Sequence, residues 1–384
     1  MMGSSNIVAA SDNFNQIESS MKQAYAADHF FWTGRAATAL LYVYSAIRKL
    51  RYDIEEPEII LPALSCATPS NTALICGLQT RYADISIETA LIGIEQIKQR
   101  VSSKTVAVLF IHLYGNTADL AAIKNFCEEK NIFLIEDVAQ SLGANLPGNI
   151  LSGSVGDFTV FSFNQTKILQ CGGAALAVKS KENSDTVNEI IASHYFRENN
   201  DKNYLAELSM SYRNLHHSLV ALKRLNANFN ISEGFLNLRK NYEELFFRTA
   251  FDKTAFVNDY LHLDDNLKAR KEKAIIYRDH LSKMESISIF NEWELSGCCW
   301  RFSFLFNDPQ NLVKLSEAVR RDGFHLSNLY WPVNQFFNAG DDCPVADKAG
   351  RTVVNLWVDD SVSNDWVHRC CDSIIKNINL LKVE

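Results

Sequence analysis

From residue 58 onward the chain alternates between short apolar, β-rich runs and amphipathic segments. EIILPAL gives way to helix-like NTALICGL, and RYADI, LIGIEQIKQR, TVAVLFIHLYG, DLAAIKNFCEEK and IFLIEDVA continue the alternation. Strand-length runs separated by helix-period segments predict a mostly parallel sheet covered by helices. The next apolar runs, FTVFSF and AALAV, are joined by a short loop, as expected where the chain turns back at the end of the sheet.

Past about residue 180 the texture changes to long charged stretches of helical character, FLNLRKNYEELFFRTAF and DDNLKARKEKAIIYRDHLSKM. No proline interrupts the chain between Pro147 and Pro309, which permits long helices there. Strand-like SISIF and WRFSFLF, with the helical DPQNLVKLSEAVRRDG and SNDWVHRCCDSIIKNI, then predict a small α+β unit. The expected division is a large domain over residues 1–235, then connecting helices and a small C-terminal domain over 236–384.

A chain of 384 residues that is 47% hydrophobic can bury a large core. Its 38 basic residues against 45 acidic ones give a net charge of −7, which argues against binding a nucleic-acid backbone. No secretory leader and no bilayer-length apolar run is seen, so a cytoplasmic protein without a membrane segment is expected. MMGSS does not place a glycine in the second position that myristoylation needs. Nine cysteines, among them the adjacent pairs Cys298/Cys299 and Cys370/Cys371 but no CxxC, fit reduced thiols better than a disulfide framework or zinc site. His216 and His217 lack partners at metal-ligand spacing, so no metal is expected.

Ligands of open α/β sheets gather beyond the carboxyl ends of the strands. Three such ends carry polar residues: HLYG, EDVAQS and SFNQTK. In FSFNQTKIL a lone lysine, Lys167, sits among Phe161, Phe163 and Leu169. Desolvation there disfavours its ammonium and leaves an amine able to form a Schiff base. Asp137 also follows an apolar run, and an acid for an aromatic nitrogen with a lysine for an aldehyde are what a pyridoxal phosphate enzyme needs. On the residues alone, a buried Asp–Lys ion pair or two unrelated surface charges explain the pattern at least as well.

GDFTVFSFNQTKILQCGGAALAV, preceded by IHLYGNTADLAAIKNFCEEKNIFLIEDVAQSLGA and followed far downstream by CPVADKAG, resembles the DegT/DnrJ/EryC1/StrS family of aminotransferases, mainly makers of amino sugars. The likeness runs from about residue 30 to the C-terminus and is densest between 105 and 180. It implies a fold-type I transferase that binds pyridoxal 5′-phosphate at a homodimer interface. The implied reaction moves an amino group, from glutamate, to a nucleotide-linked keto-sugar in amino-sugar or surface-polysaccharide biosynthesis. It makes Lys167 the coenzyme-bound lysine and acid/base, and Asp137 the partner of the pyridinium nitrogen. Gln140 would reach the phenolic oxygen and Ser162 the phosphate. Thr33, Gly34 and Arg35 precede an alanine-rich helix whose N-terminus suits that phosphate.

Departures from the family's pattern bear mainly on the substrate. Arg213 in SMSYRNLHHSLVALKRL falls on an arginine that in relatives reaches the partner's phosphate, but Ser211 replaces the usual asparagine. Cys66 stands where an aromatic often covers the ring, and Asn334 where a histidine often faces the sugar. The glycine-rich turn reads Gly172-Gly173-Ala174-Ala175. His112 matches a common family residue without an assigned role. The basic run KARKEK is expected to be a solvated helix face, a nucleotide contact being the other reading. These departures leave open a non-nucleotide ketone or aldehyde as acceptor, and a non-catalytic dimeric relative with a binding or regulatory role.

Overall fold

The computed structural model describes residues 4–193, 201–226, 242–244, 250–290, 298–337 and 340–381. The domain division expected near residue 235 lies outside the described residues. Nine strands lie in the first half of the described chain: β1 (His29–Thr33), β2 (Glu58–Pro62), β3 (Gln79–Ala83), β4 (Thr105–Ile111), β5 (Phe133–Asp137), the short hairpin β6 (Asn145–Leu146) and β7 (Ile150–Leu151), β8 (Phe158–Ser162) and β9 (Ala174–Val178). Seven form one sheet in the order β1-β9-β8-β5-β4-β2-β3.

Strands β3, β2, β4, β5 and β8 run parallel, while β9 is antiparallel to both of its neighbours. The mostly parallel sheet read from the sequence is therefore present. Every residue of β4, β8 and β9 is buried, as expected for strands covered on both faces. Register aligns Ile111 with Asp137 and Asp137 with Val160, so the polar ends of β4, β5 and β8 open at one edge. Strand β1 escapes the sequence reading because HFFWT has no alternation and is identified only by its pairing with β9.

The smaller C-terminal α+β domain holds an antiparallel sheet of β10 (Ile287–Ile289), β11 (Phe302–Phe306) and β12 (Val353–Leu356). Tyr277, Leu281, Phe302, Phe304, Leu315, Cys370 and Ile374 form its separate core. One segment leaves this unit and returns to the large core, where Trp331, Val333 and Phe336 are buried. The Val333 N–H donates to Ala63 O at 2.7 Å, just past β2. That return brings residue 330 to the carboxyl edge of the large sheet.

The KARKEK expectation needs correcting. Helix Leu263–Leu281 turns Lys268 and Lys271 to solvent but buries Arg270 and Lys273, which share a face with Ala274, Tyr277 and Leu281. Helical spacing of three and four residues, not the run of charge, decides which side chains go inside.

Candidate active site

Beyond the strand ends lies a pocket lined by residues from β2's exit (Ser65, Cys66), β4's end (Ile111), β5's end (Asp137, Gln140) and β8's end (Ser162, Lys167). Helix Ala36–Leu50 contributes Arg35, Ala36 and Ala37, and the returning C-terminal segment contributes Tyr330. The structure thus brings together six residues singled out in the sequence: Lys167, Asp137, Gln140, Ser162, Cys66 and Arg35.

Asp137 is buried, and its Oδ1 accepts the Ala139 N–H at 2.9 Å. No described residue bonds its Oδ2. Burial raises its pKa; the Ala139 N–H and the charges of Lys167 and His112 oppose that but do not cancel it. Lys167 retains some solvent exposure, yet desolvation lowers its pKa, with Cys66 and Asp137 pulling the other way. Its Nζ lies 5.7 Å from the centre of the Trp300 ring and bonds no described acceptor. Burial also pushes the Cys66 thiol up. The amine and the carboxyl are each driven toward neutrality in one pocket.

This donor set fits pyridoxal phosphate. A buried carboxylate with an open oxygen suits a protonated ring nitrogen, since a cation delivered there would draw out the charge that burial suppresses. The first turn of helix Ala36–Leu50 has no side-chain cap, because the arginine at the N-cap, Arg35, carries only donors and cannot accept from the turn's N–H groups. The N–H groups of Ala36 and Ala37, ahead of those of Thr38 and Ala39 that already donate to Arg35 O, and the Ser162 hydroxyl suit a dianion. Thr33 shapes this turn instead, donating its hydroxyl to Arg35 O at 2.9 Å.

Gln140 is engaged at both ends. Its Oε1 accepts the Tyr114 N–H at 2.7 Å, and its Nε2 donates to Tyr330 Oη at 2.9 Å. Through Gln140, Tyr330 is the polar group presented beside Lys167 and Cys66. Gly34 is buried behind Arg35 and does not line the pocket. Ser211 and Arg213, on helix Lys202–Leu225, are exposed and do not line the pocket, although Arg213 is near enough to lower the pKa of Arg35, second to desolvation. Asn334 donates Nδ2 to Asp341 O at 3.2 Å and is likewise absent from the lining.

The lysine loop is backbone-strained. Thr166 has φ +83°, costly for a β-branched residue at roughly 1–3 kcal/mol. Gly172 and Gly173 have φ +85° and +88°, and a Cβ on Gly173 would fall 2.5 Å from the Phe251 ring. These two glycines carry the turn, and the alanines that follow sit in β9, paired with Thr33 and Trp32.

Several residues around the site were not signalled by the sequence. Tyr330 follows no strand end in the large sheet and arrives through a long-range return of chain. Glu136, adjacent to Asp137, faces the opposite side of β5: its carboxylate meets His112 Nε2 at 2.9 Å and the N–H groups of Gly153, Val155 and Gly156 at 2.8, 2.7 and 2.6 Å. Strand alternation would have separated Glu136 from Asp137. Among the described residues no cluster of metal-ligating side chains occurs, and no helix is long and apolar enough to cross a membrane.

Residues 2–233 match the model of the DegT/DnrJ/EryC1/StrS aminotransferase family. A GDP-perosamine synthase of Vibrio cholerae is 30% identical over 125 residues, 33% of this chain and 34% of that protein. The match thus spans about a third of that relative's length. A GDP-perosamine synthase of Escherichia coli O157:H7 is 22% identical over 83% of this chain and 79% of its own. Among solved structures, NtdA of Bacillus subtilis, determined with bound cofactor PMP, superposes with a TM-score of 0.71 at 19% identity, over 96% of this chain and 77% of that one. The chain belongs to the DegT/DnrJ/EryC1/StrS aminotransferase family, whose enzymes depend on pyridoxal phosphate.

Proposed function

We propose that this enzyme transfers an amino group from glutamate to the keto carbon of a nucleotide-linked sugar. One observation carries the reading: the Lys167 amine and the Asp137 carboxylate share a pocket at the ends of β5 and β8, and neither has a full set of protein partners. The activity for which the two perosamine synthases are named supports the sugar acceptor.

When bound, pyridoxal phosphate supplies an electron-accepting ring and an aldehyde carbon that takes and gives nitrogen. Asp137 Oδ2 would hold the proton on the ring nitrogen, an ion pair strengthened where water is excluded. Ser162 and the first turn of helix Ala36–Leu50 bind the phosphate, with Arg35 adding charge. Lys167 Nζ, whose ammonium desolvation disfavours, would be the base that takes the proton from the donor's Cα and the acid that gives one to the keto carbon that receives the nitrogen. Gln140 holds Tyr330 Oη at the pocket wall, and Cys66, which also lines the pocket, would pack against the ring face.

Helix Lys202–Leu225 exposes Met210, Leu215, Leu222 and Leu225, apolar area that a second copy of the chain would cover. In such a homodimer Arg213, and Ser211 beside it, would serve the partner's phosphate. Light scattering measures this directly, and a monomer at micromolar concentration would remove the assignment.

A ketone not attached to a nucleotide is the second reading. It is favoured by Asn334, which is tied to Asp341 O where relatives place a sugar-facing histidine. Glutamate consumption measured with a panel of nucleotide keto-sugars and free cyclic ketones separates the two acceptors. Borohydride reduction with peptide mapping tests the chemistry: a pyridoxyl group on any residue but Lys167 ends the proposal.

A further inference from the structure

Three consecutive carbonyls run through the reactive lysine, and each is held by a side chain from the C-terminal half. Trp300 Nε1 donates to Thr166 O, Arg270 Nη2 to Lys167 O at 3.3 Å, and Asn266 Nδ2 to Ile168 O at 3.2 Å. The three holders are also joined to one another. Arg270 Nε donates to Asn266 Oδ1 at 2.5 Å and its Nη1 to Trp300 O at 2.9 Å.

Arg270 is 1% exposed, and among the described residues it forms no ion pair with a carboxylate. A guanidinium buried only for stability gains more from an acidic partner, and an apolar side chain would avoid the desolvation altogether. Here the planar fork is spent on main-chain oxygens of two separate segments and on an amide, which fixes three points at once. Lys167 N–H donates to Asn164 O at 3.0 Å, and Thr166 stands at φ +83°, a torsion that a β-branched residue leaves unless its surroundings hold it. The Trp300 indole grips the carbonyl of that same residue.

We propose that Asn266, Arg270 and Trp300 are positioning residues that set the height and direction of the Lys167 amine, so that the C-terminal part of the chain holds the amine in register with Asp137. This rests on the reading of Lys167 as the proton-moving amine. None of the three lines the pocket, so they act through the lysine peptide and not on substrate.

Trp300→Phe keeps an aromatic ring but removes the N–H donor together with part of the buried indole; Arg270→Lys keeps the charge and removes the fork. Both are to be compared with the wild type as full-length holoenzymes by kcat and KM, by the pH midpoint of the coenzyme's visible absorbance, and by amide hydrogen exchange over residues 164–169. Each variant is expected to lose about 10- to 100-fold in kcat, with the KM for glutamate within about twofold, because an ångström of misplacement costs that much. The absorbance midpoint should move by about half a pH unit or more as the amine's surroundings change. Exchange at 164–169 should accelerate. Thr166→Gly added to Trp300→Phe should recover several-fold in kcat, since glycine keeps φ +83° without strain.

A lower melting temperature with kcat, midpoint and exchange all unchanged would reduce the three residues to a structural role and overturn the proposal. If Arg270→Lys does not fold, the Trp300→Phe pair with and without Thr166→Gly decides the matter. Absence of a pyridoxyl label on Lys167 of the reduced wild type would instead overturn the reading beneath it; unchanged exchange in Trp300→Phe overturns the positioning role whatever the coenzyme does.

Discussion

Glu136 and Asp137 are neighbours on β5, both buried and both acidic, and they face opposite sides of the sheet into regions built on opposite terms. Behind the sheet, Glu136 meets His112 and three backbone N–H groups, and although burial pushes its pKa up, these partners outweigh it and hold the pKa below the ordinary value. In the pocket, Asp137 has one N–H, and burial wins. A carboxylate with all its lone pairs satisfied is scaffolding; one with an oxygen left open is waiting for a ligand. The same residue chemistry, one position apart, is divided by strand alternation.

The comparison is broken most severely from the pocket side. Lys167→Ala should lower kcat by about 10⁴-fold or more in steady-state assays while leaving the melting temperature nearly unchanged, because that amine has no structural partner to lose. Asp137→Asn should cost about 10³-fold in kcat and weaken coenzyme binding, measured by equilibrium dialysis, with folding stability level or slightly raised. Glu136→Gln should show the reverse pattern. It should lose about 3 kcal/mol in denaturant unfolding, since an amide cannot accept from His112 and three N–H groups together, and coenzyme affinity should change far less. Equal stability losses for the two substitutions would erase the distinction between the regions.

Acid sharpens the contrast. A carboxylate whose folded pKa is depressed contributes stability that is present above its unfolded value and lost as pH falls through the folded one. Glu136 therefore adds to the acid loss of stability, and Glu136→Gln should flatten that limb of a stability–pH profile. Asp137, with a raised folded pKa, has the opposite sign: its burial penalty is relieved as pH falls through that value, so Asp137→Asn, which removes that relief, should steepen the limb slightly and not flatten it. The smallest effect is expected from Tyr330→Phe, about 1 kcal/mol in stability from the Gln140 amide left without its acceptor, with a change in acceptor KM rather than donor KM.

Much of the large sheet was legible because fully buried parallel strands such as TVAVLFI and FTVFS are continuous apolar runs with polar residues at their ends. Those ends gave Asp137, Gln140, Ser162 and Lys167, all local to a strand. Roles within the pocket were less legible. Gln140 was read as a group for the coenzyme, but its two ends are already bonded to Tyr114 and Tyr330. Tyr330, Arg270 and Trp300 belong to segments more than 100 residues beyond Lys167, and nothing local announces that a tertiary return will place them there. Arg270 was hidden further by its setting, since a charge within a charged run reads as solvated until its helical face is counted. Asn334 shows a related limit: its position in a motif fixes its neighbours in sequence but not the carbonyl of Asp341 that its side chain bonds.

The three bonded carbonyls around Lys167 also bear on how the protein is made. The lysine leaves the ribosome roughly a hundred residues ahead of Asn266 and Arg270, and further still ahead of Trp300. At typical rates of synthesis that interval is on the order of ten seconds. Throughout it the nascent loop lacks all three of these donors, so the lysine peptide goes unheld until the later segments that bond its carbonyls have been translated.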